Sequence, residues 1–283
     1  MDNLRVKNIT KEYKDFKLEN ISFNLPKGCI MGLIGENGAG KTTIVKLILN
    51  LIKRNSGSIE IFGMDNIEKE QEVKQEIGVV LDESYFHDNL KTKDITSIMK
   101  NIYNSWNDDK FISYLRKFKL PEDKIIKNYS KGMKMKLSIA AALSHDPKLL
   151  ILDEPTGGLD PVVRNEILDI FLEFIQDEER SILFSTHVTS DLDKIADYIT
   201  FIHEGNLVLT EPKDDILNNY GIVKCGAEDF KYLDKEHIIS HRKNRFNYEV
   251  LIDNKQSIRE DRDLVMDSAN LEDIMLFYIR REM

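Results

Sequence analysis

Gly35-Glu36-Asn37-Gly38-Ala39-Gly40-Lys41-Thr42 is a glycine-rich run with a lysine and a threonine at its end. It fits the spacing G-x-x-x-x-G-K-[ST] through Gly35, Gly40, Lys41 and Thr42. The flanks agree. Residues 28–34 are an apolar run that reads as a buried strand, and Ile44, Val45, Leu47, Ile48, Leu51 and Ile52 recur at helical spacing over 41–52. Strand, glycine-rich loop and helix together make a phosphate cradle. Glycine lets the backbone approach phosphate oxygens, and successive N–H groups form an anion nest at a helix N-terminus. In that cradle Lys41 would reach the β- and γ-phosphates, and Thr42 would offer its hydroxyl to Mg²⁺. Gly38 and Thr43 belong to the same nucleotide-contacting loop, and Asn37 suits a position near the nucleophilic water.

Further along the chain, Leu149-Leu150-Ile151-Leu152-Asp153-Glu154-Pro155 is an apolar run that ends in two acids. The run predicts a buried strand that delivers Asp153 to its end, beside the glycine-rich loop. Asp153 would bind Mg²⁺ through water, and Glu154 would take a proton from the attacking water as general base. An acid pair after a strand is common where loops begin. The signal lies in its combination with Lys41.

Between these stretches lies Tyr129-Ser130-Lys131-Gly132-Met133. The three stretches, in this order, resemble the ATP-binding subunit of an ABC transporter, with specific motifs over residues 1–215. The resemblance implies an α/β fold: a P-loop ATPase core of mixed sheet, with a helical subdomain inserted at about 84–145. It implies ATP and Mg²⁺ as cofactors. It also implies a second ATP-binding subunit, identical or not, because in the family the signature loop of one subunit closes over the γ-phosphate of the other. Ser130 and Gly132 match that signature. Lys131 and Met133 depart from the usual serine-glycine-glycine-glutamine, in a variant familiar among exporter subunits of the ABC-2 type. By the same resemblance Tyr13 would stack on adenine. Gly158-Leu159-Asp160 would couple the two sites, and His187, within Ser185-Thr186-His187, would contact the γ-phosphate. The expected catalytic set is therefore Lys41, Glu154 and His187. One position departs further: the family has a glutamine after the strand-like run Ile77–Leu81, where this chain has Asp82 and Glu83. A carboxylate is a hard oxygen ligand, so Asp82 is a candidate for Mg²⁺. It would also add negative charge beside the phosphates, and an exposed loop acid is the other reading.

The chain has 283 residues, 41% hydrophobic and 31% charged, which suits a globular protein with a sizeable core. A net charge of -9 without a conspicuous basic face speaks against nucleic acid as a partner. No apolar run reaches the ~18 residues that a membrane helix needs. The opening Met1-Asp2-Asn3-Leu4-Arg5 does not read as a secretory leader. Cys29 and Cys225 are too few and too far apart for a disulfide framework, so the chain reads as cytosolic; Cys29 is expected to be buried and inert.

Further strand-like runs fall at 4–10, 21–25, 58–61, 181–185, 198–202 and 207–210, and the pattern is helical from about Ile95 to Leu143. Asp160 and Pro161 read as the cap and first residue of a helix to Ile175. After Pro212 the character changes. The strand-like runs Ile222–Cys225 and Tyr248–Ile252, followed by a helix over Leu271–Arg280, suggest a small α+β accessory domain over 216–283.

The resemblance implies a separate multi-pass transmembrane permease subunit, and with it a place at the cytoplasmic face of the membrane. The expected docking surface is the inserted helical block, with Tyr85, Phe86, Ile98, Ile102, Tyr103 and Trp106 as apolar candidates. Export of a peptide, antibiotic or lipid-like substrate is the leading reading. A non-transport ABC ATPase, a nucleotide-dependent regulator and an importer subunit stand as alternatives. The single glycine-rich loop and the short interval from Lys41 to Ser130 disfavour the known non-transport architectures.

Overall fold

The structure is a computed structural model and describes residues 2–82, 86–257 and 264–279. Its strands in chain order are β1 (Asp2–Glu12), β2 (Lys17–Pro26), β3 (Ile30–Ile34), β4 (Ser56–Ile61), β5 (Met64–Asp65), β6 (Ile77–Val80) and β7 (Leu149–Asp153). There follow β8 (Ser181–Thr186), β9 (Tyr198–His203), β10 (Asn206–Pro212), β11 (Gly221–Cys225), β12 (Ile238–Lys243), β13 (Tyr248–Ile252) and β14 (Val265–Ser268). The helices are α1 (Lys41–Ile48), α2 (Glu70–Gln75), α3 (Asp94–Met99), α4 (Asp108–Lys117) and α5 (Lys131–Leu143). The remaining five are α6 (Pro161–Phe174), α7 (Thr189–Ile195), α8 (Lys213–Asn219), α9 (Ala227–Phe230) and α10 (Leu271–Ile279).

The central sheet has the order β10-β9-β3-β8-β7-β6. Its strands are parallel except β10, which pairs antiparallel with β9. Every residue of β3, β7 and β8 is buried, as expected of strands covered on both faces, and this is why their sequences are unbroken apolar runs. The register sets Ile34 beside Thr186 and Asp153 beside Ser185. The carboxyl ends of β3, β7 and β8 therefore lie side by side, which is where open α/β sheets bind ligands.

A second, antiparallel sheet, β2-β1-β4-β5, packs its apolar face with α1 and β3 into one core cluster. The first two strands extend well beyond the expected runs and pair along nearly their whole length. Helix α1 stops at Ile48, earlier than the periodicity predicts, because Asn50 takes a left-handed φ of 52°. Leu51 is consequently exposed.

The helical block is also shorter in its pieces than expected. Asn107 starts α4 afresh by accepting from the Lys110 amide, and Pro121 lies in the break that follows α4. Helix α5 is capped by Ser130, and its buried face (Leu137, Ile139, Ala140, Leu143) enters the main core. Residues 84–85, with which the block was expected to open, lie outside the described residues.

Beyond residue 220, β11–β14 form a third antiparallel sheet in the order β12-β13-β11-β14. Of these strands β12 and β14 were not legible. Helix α10 packs back onto α7, β9 and β12, and its Ile274 and Phe277 join the main core; Arg280 lies outside the described residues. Cys225 is buried, whereas Cys29 is only half-buried; burial still pushes both thiols above their usual range. Among the described residues no helix is long and apolar enough to cross a membrane.

Candidate nucleotide site at the carboxyl ends of the strands

Gly35 leaves β3 and turns the chain toward α1. A Cβ there would stand 2.2 Å from the Ile202 carbonyl oxygen, so only glycine fits. Gly40, at φ 114°, packs against Leu18 and Phe16 of the β1–β2 hairpin. That packing brings the hairpin carrying the exposed Tyr13 beside the loop, with Lys11 over the Tyr13 ring. Helix α1 has neither a side-chain cap nor an acid in its first turn, so its amino end keeps its positive potential for an anion. Gly38 faces open space, and Asn37 and Thr42 are exposed, whereas Thr43 is half-buried.

Lys41 is only 6% exposed, and its Nζ donates to the carbonyl oxygens of Gly35 (2.8 Å) and Glu36 (3.2 Å). It also lies 3.6 Å from Glu154 Oε1. The other carboxylate oxygen, Oε2, accepts from His187 Nδ1 at 2.8 Å and from Thr186 Oγ1 at 3.4 Å. The Glu154 side chain, 16% exposed, is thus held between the loop lysine and the histidine. Its backbone is in the left-handed region, φ 51°, a costly conformation for a residue with a Cβ and one that clusters at functional sites. That turn is pinned by the Glu154 amide donating to Ser185 O at 2.9 Å. Asp153, the last residue of β7, is buried, and its Oδ1 accepts from Ser185 Oγ at 2.7 Å. A buried carboxylate with one hydroxyl donor keeps oxygen lone pairs for a hard cation. The donor set fits a nucleotide triphosphate with Mg²⁺: glycine loop, uncapped helix, one lysine and one buried acid.

Three residues of this site had no role in the sequence reading. Ser185 and Thr186 were visible only as neighbours of His187, yet they orient Asp153 and Glu154. His203 ends β9, and its Nδ1 donates to Glu36 Oε1 at 2.8 Å, fixing the loop from the strand that pairs with β3 opposite β8. No local motif marks it.

The remaining expected residues form a second group. Ser130 caps α5 by accepting from the Met133 amide (3.2 Å), and Asp160 caps α6 by accepting from the Val162 and Val163 amides (3.1 Å each). The two caps are neighbours, since a Cβ on Gly132 would meet Val163 at 3.3 Å. Asp82 belongs here too; its Oδ1 lies 3.5 Å from Lys131 Nζ. Among the described residues no hydrogen bond or ion pair joins Ser130, Gly132 or Asp160 to Lys41, Glu154 or His187.

Residues 18–157 match the family model of the ABC transporter. The chain is 36% identical over 214 residues to the lantibiotic transport ATP-binding protein SrtF of Streptococcus pyogenes, covering 75% of this chain and 91% of that protein. It is 34% identical over 216 residues to the bacitracin transport ATP-binding protein BcrA of Bacillus licheniformis, covering 75% and 71%. A solved structure of an ATP-binding subunit of an ABC transporter superposes with a TM-score of 0.70 at 27% identity, over 76% of this chain and 92% of that one. The ADP- and Pi-bound cassette MJ0796, at 20% identity and TM-score 0.66, shares the fold, over 74% of this chain and 98% of its own. The chain belongs to the ATP-binding subunits of ABC transporters, and its activity is that of an ATPase.

Proposed function

We propose that this chain binds ATP with Mg²⁺, pairs through it with a second ATP-binding subunit, and so drives export through a separate multi-pass membrane protein at the cytoplasmic face. The observation that carries the reading is the Glu154 carboxylate held by Lys41 and His187 at the end of β7, with Asp153 buried one residue before it. ATP supplies the phosphoanhydride bond. Lys41 and the amides of α1 bind its phosphates, and Thr42 and Asp153 hold the metal. Glu154 takes the proton of the attacking water, and His187 keeps that carboxylate oriented. Asp82, engaged by Lys131, is left out of the metal set.

A monomer lacks a signature turn over its own phosphates, which is why Ser130, Gly132 and Asp160 stand apart from Lys41. The expectation is that Glu154→Gln binds ATP, loses turnover by several orders of magnitude and accumulates an ATP-bound dimer seen by light scattering. A Glu154→Gln chain that stays monomeric at saturating ATP, or that hydrolyses nearly normally, overturns the reading.

A peptide or antibiotic as cargo is supported by the names of the relatives above, which are lantibiotic and bacitracin transport proteins; export rather than import is supported by the Ser130-Lys131-Gly132-Met133 variant. The proposed docking place is an apolar cavity of about 480 Å³ lined by Phe86, Leu90, Ile98, Ile102 and Tyr103, where a short amphipathic helix of the permease can lie. Tyr85 lies outside the described residues. Trp106 leaves the candidate set, because it packs on the core with its ring 5.2 Å from Phe111. Single cysteines at Ile98 and Ile102 should crosslink the co-expressed permease. Crosslinks that arise only from residues 222–252 would place the interface elsewhere. The division into 1–215 and an accessory domain over 216–283 is likewise proposed.

A further inference from the structure

Lys131 is the first residue of α5, and its ammonium reaches two other loops at once. It stands 3.5 Å from Asp82 Oδ1, at the start of the segment leaving β6. Its Nζ also stands 3.4 Å from where a Cβ on Gly158 would lie, so it reaches the turn that precedes Asp160. One helical turn on, Lys134 donates to Asp88 Oδ1 at 2.8 Å and holds that carboxyl below its usual range. These two pairs tie Asp82 and Asp88 to the first turn of α5, beside a cavity of about 650 Å³. Register fixes what Asp82 is next to. Val80 pairs with Leu152, so Asp82 leaves the sheet alongside Asp153 and Glu154. Without a cation, Asp82 would be a third acid at the mouth of the nucleotide site. The same first turn of α5 presents Ser130 and Gly132.

We propose that Lys131 and Asp82 act as one positioning pair, which holds the Ser130–Gly132 turn in the orientation that closes over the nucleotide of a second subunit. The pair rests on the ATP-dependent dimer proposed above, and a dimer of two copies of this chain contains it twice. Both side chains are about half exposed, so the pair tunes closure rather than holding the fold together.

The test uses the full chain carrying Glu154→Gln and reads the ATP concentration that gives half-maximal dimer by light scattering, with melting curves reporting the fold. Asp82→Lys or Lys131→Asp alone sets like charges face to face, and each should raise that concentration by about three- to tenfold over two copies of the pair. The double reversal should return it to within about twofold of the background. Neutral variants Asp82→Asn and Lys131→Met give a second cycle, in which the two losses should not multiply. A double reversal as impaired as the product of the singles overturns the proposal. So does a Lys131→Asp defect that Asp82→Lys leaves unrescued, since Lys131 would then act on the phosphate directly. A Glu154→Gln chain that never dimerises overturns the dimer reading as well, whereas independent losses in a chain that does dimerise overturn only the pair.

Discussion

Lys41 is the buried cation of the site. Its buried ammonium is satisfied by Gly35 O, Glu36 O and Glu154, so the charge is not left unpaired in the interior. Lys41→Ala removes the cation meant for the phosphates and leaves Glu154 with His187 and Thr186 only. Loss of a charge-assisted contact of about 1.5–3 kcal/mol corresponds to roughly a tenfold to hundredfold weaker ATP affinity. Titration with a fluorescent ATP analogue measures it, and a parent-like affinity would remove Lys41 from the site. That Lys41, Asp153 and Glu154 come together was legible because the pattern is local: glycine spacing before the lysine, an apolar run before the acids. The Glu36–His203 hydrogen bond was not, because its partners are 167 residues apart and meet only through the pairing of β3 with β9. The same holds for Asp82 and Lys131. As separate residues they read as two departures from a pattern, and only folding sets one against the other.

Among the elements, His145 is the joint between the helical block and the central sheet. It follows α5, stacks on Tyr103 with ring centroids 3.7 Å apart, and its Nε2 donates to Ile77 O at 3.1 Å, at the start of β6. Burial lowers its pKa to about 4, because the imidazolium would lose its hydration there. A depressed folded-state pKa means that the unfolded chain binds this proton first. The contribution is therefore fully present above pH 6.5 and is lost as the pH falls toward 4. Between pH 6.5 and 5 the loss should approach about 2 kcal/mol, at ~1.4 kcal/mol per pH unit. Denaturant unfolding at several pH values reads the slope, and His145→Gln should flatten it over this window; an unchanged slope would mean another group is responsible. The sequence indicated a helical block here, from the apolar spacing of 95–143. It did not show that Asn107 and Pro121 cut it into separate helices, because a cap competes with a periodicity that continues past it.

For the whole molecule the question is whether residues beyond 220 fold as their own unit. Composition shifts after Pro212, and β11–β14 have a small core of their own around Val223, Val250 and Ile252. Helix α10 ties them to the rest. Its Phe277 is 1% exposed in the main core, and Tyr278 meets Phe201 of β9 with ring centroids 5.6 Å apart. The partner surface includes α7, the helix that follows His187, so packing at the end of the chain supports the histidine that holds Glu154. Arg242 of β12 completes the contact, with its guanidinium 4.1 Å from the Phe277 ring centre. Phe277→Ala empties this joint and should cost about 3–5 kcal/mol, the usual range for a buried phenylalanine. If α10 unites the molecule, the variant unfolds in one transition at a lower midpoint, with tryptophan fluorescence from Trp106 and far-UV circular dichroism changing together. Trp106 packs in the helical block, far along the chain from Phe277, and so reports the core rather than the third sheet. An early transition in circular dichroism with the Trp106 signal unmoved would show instead that residues beyond 220 melt alone. His187 would then be held without them, and hydrolysis by Phe277→Ala should persist past that first transition.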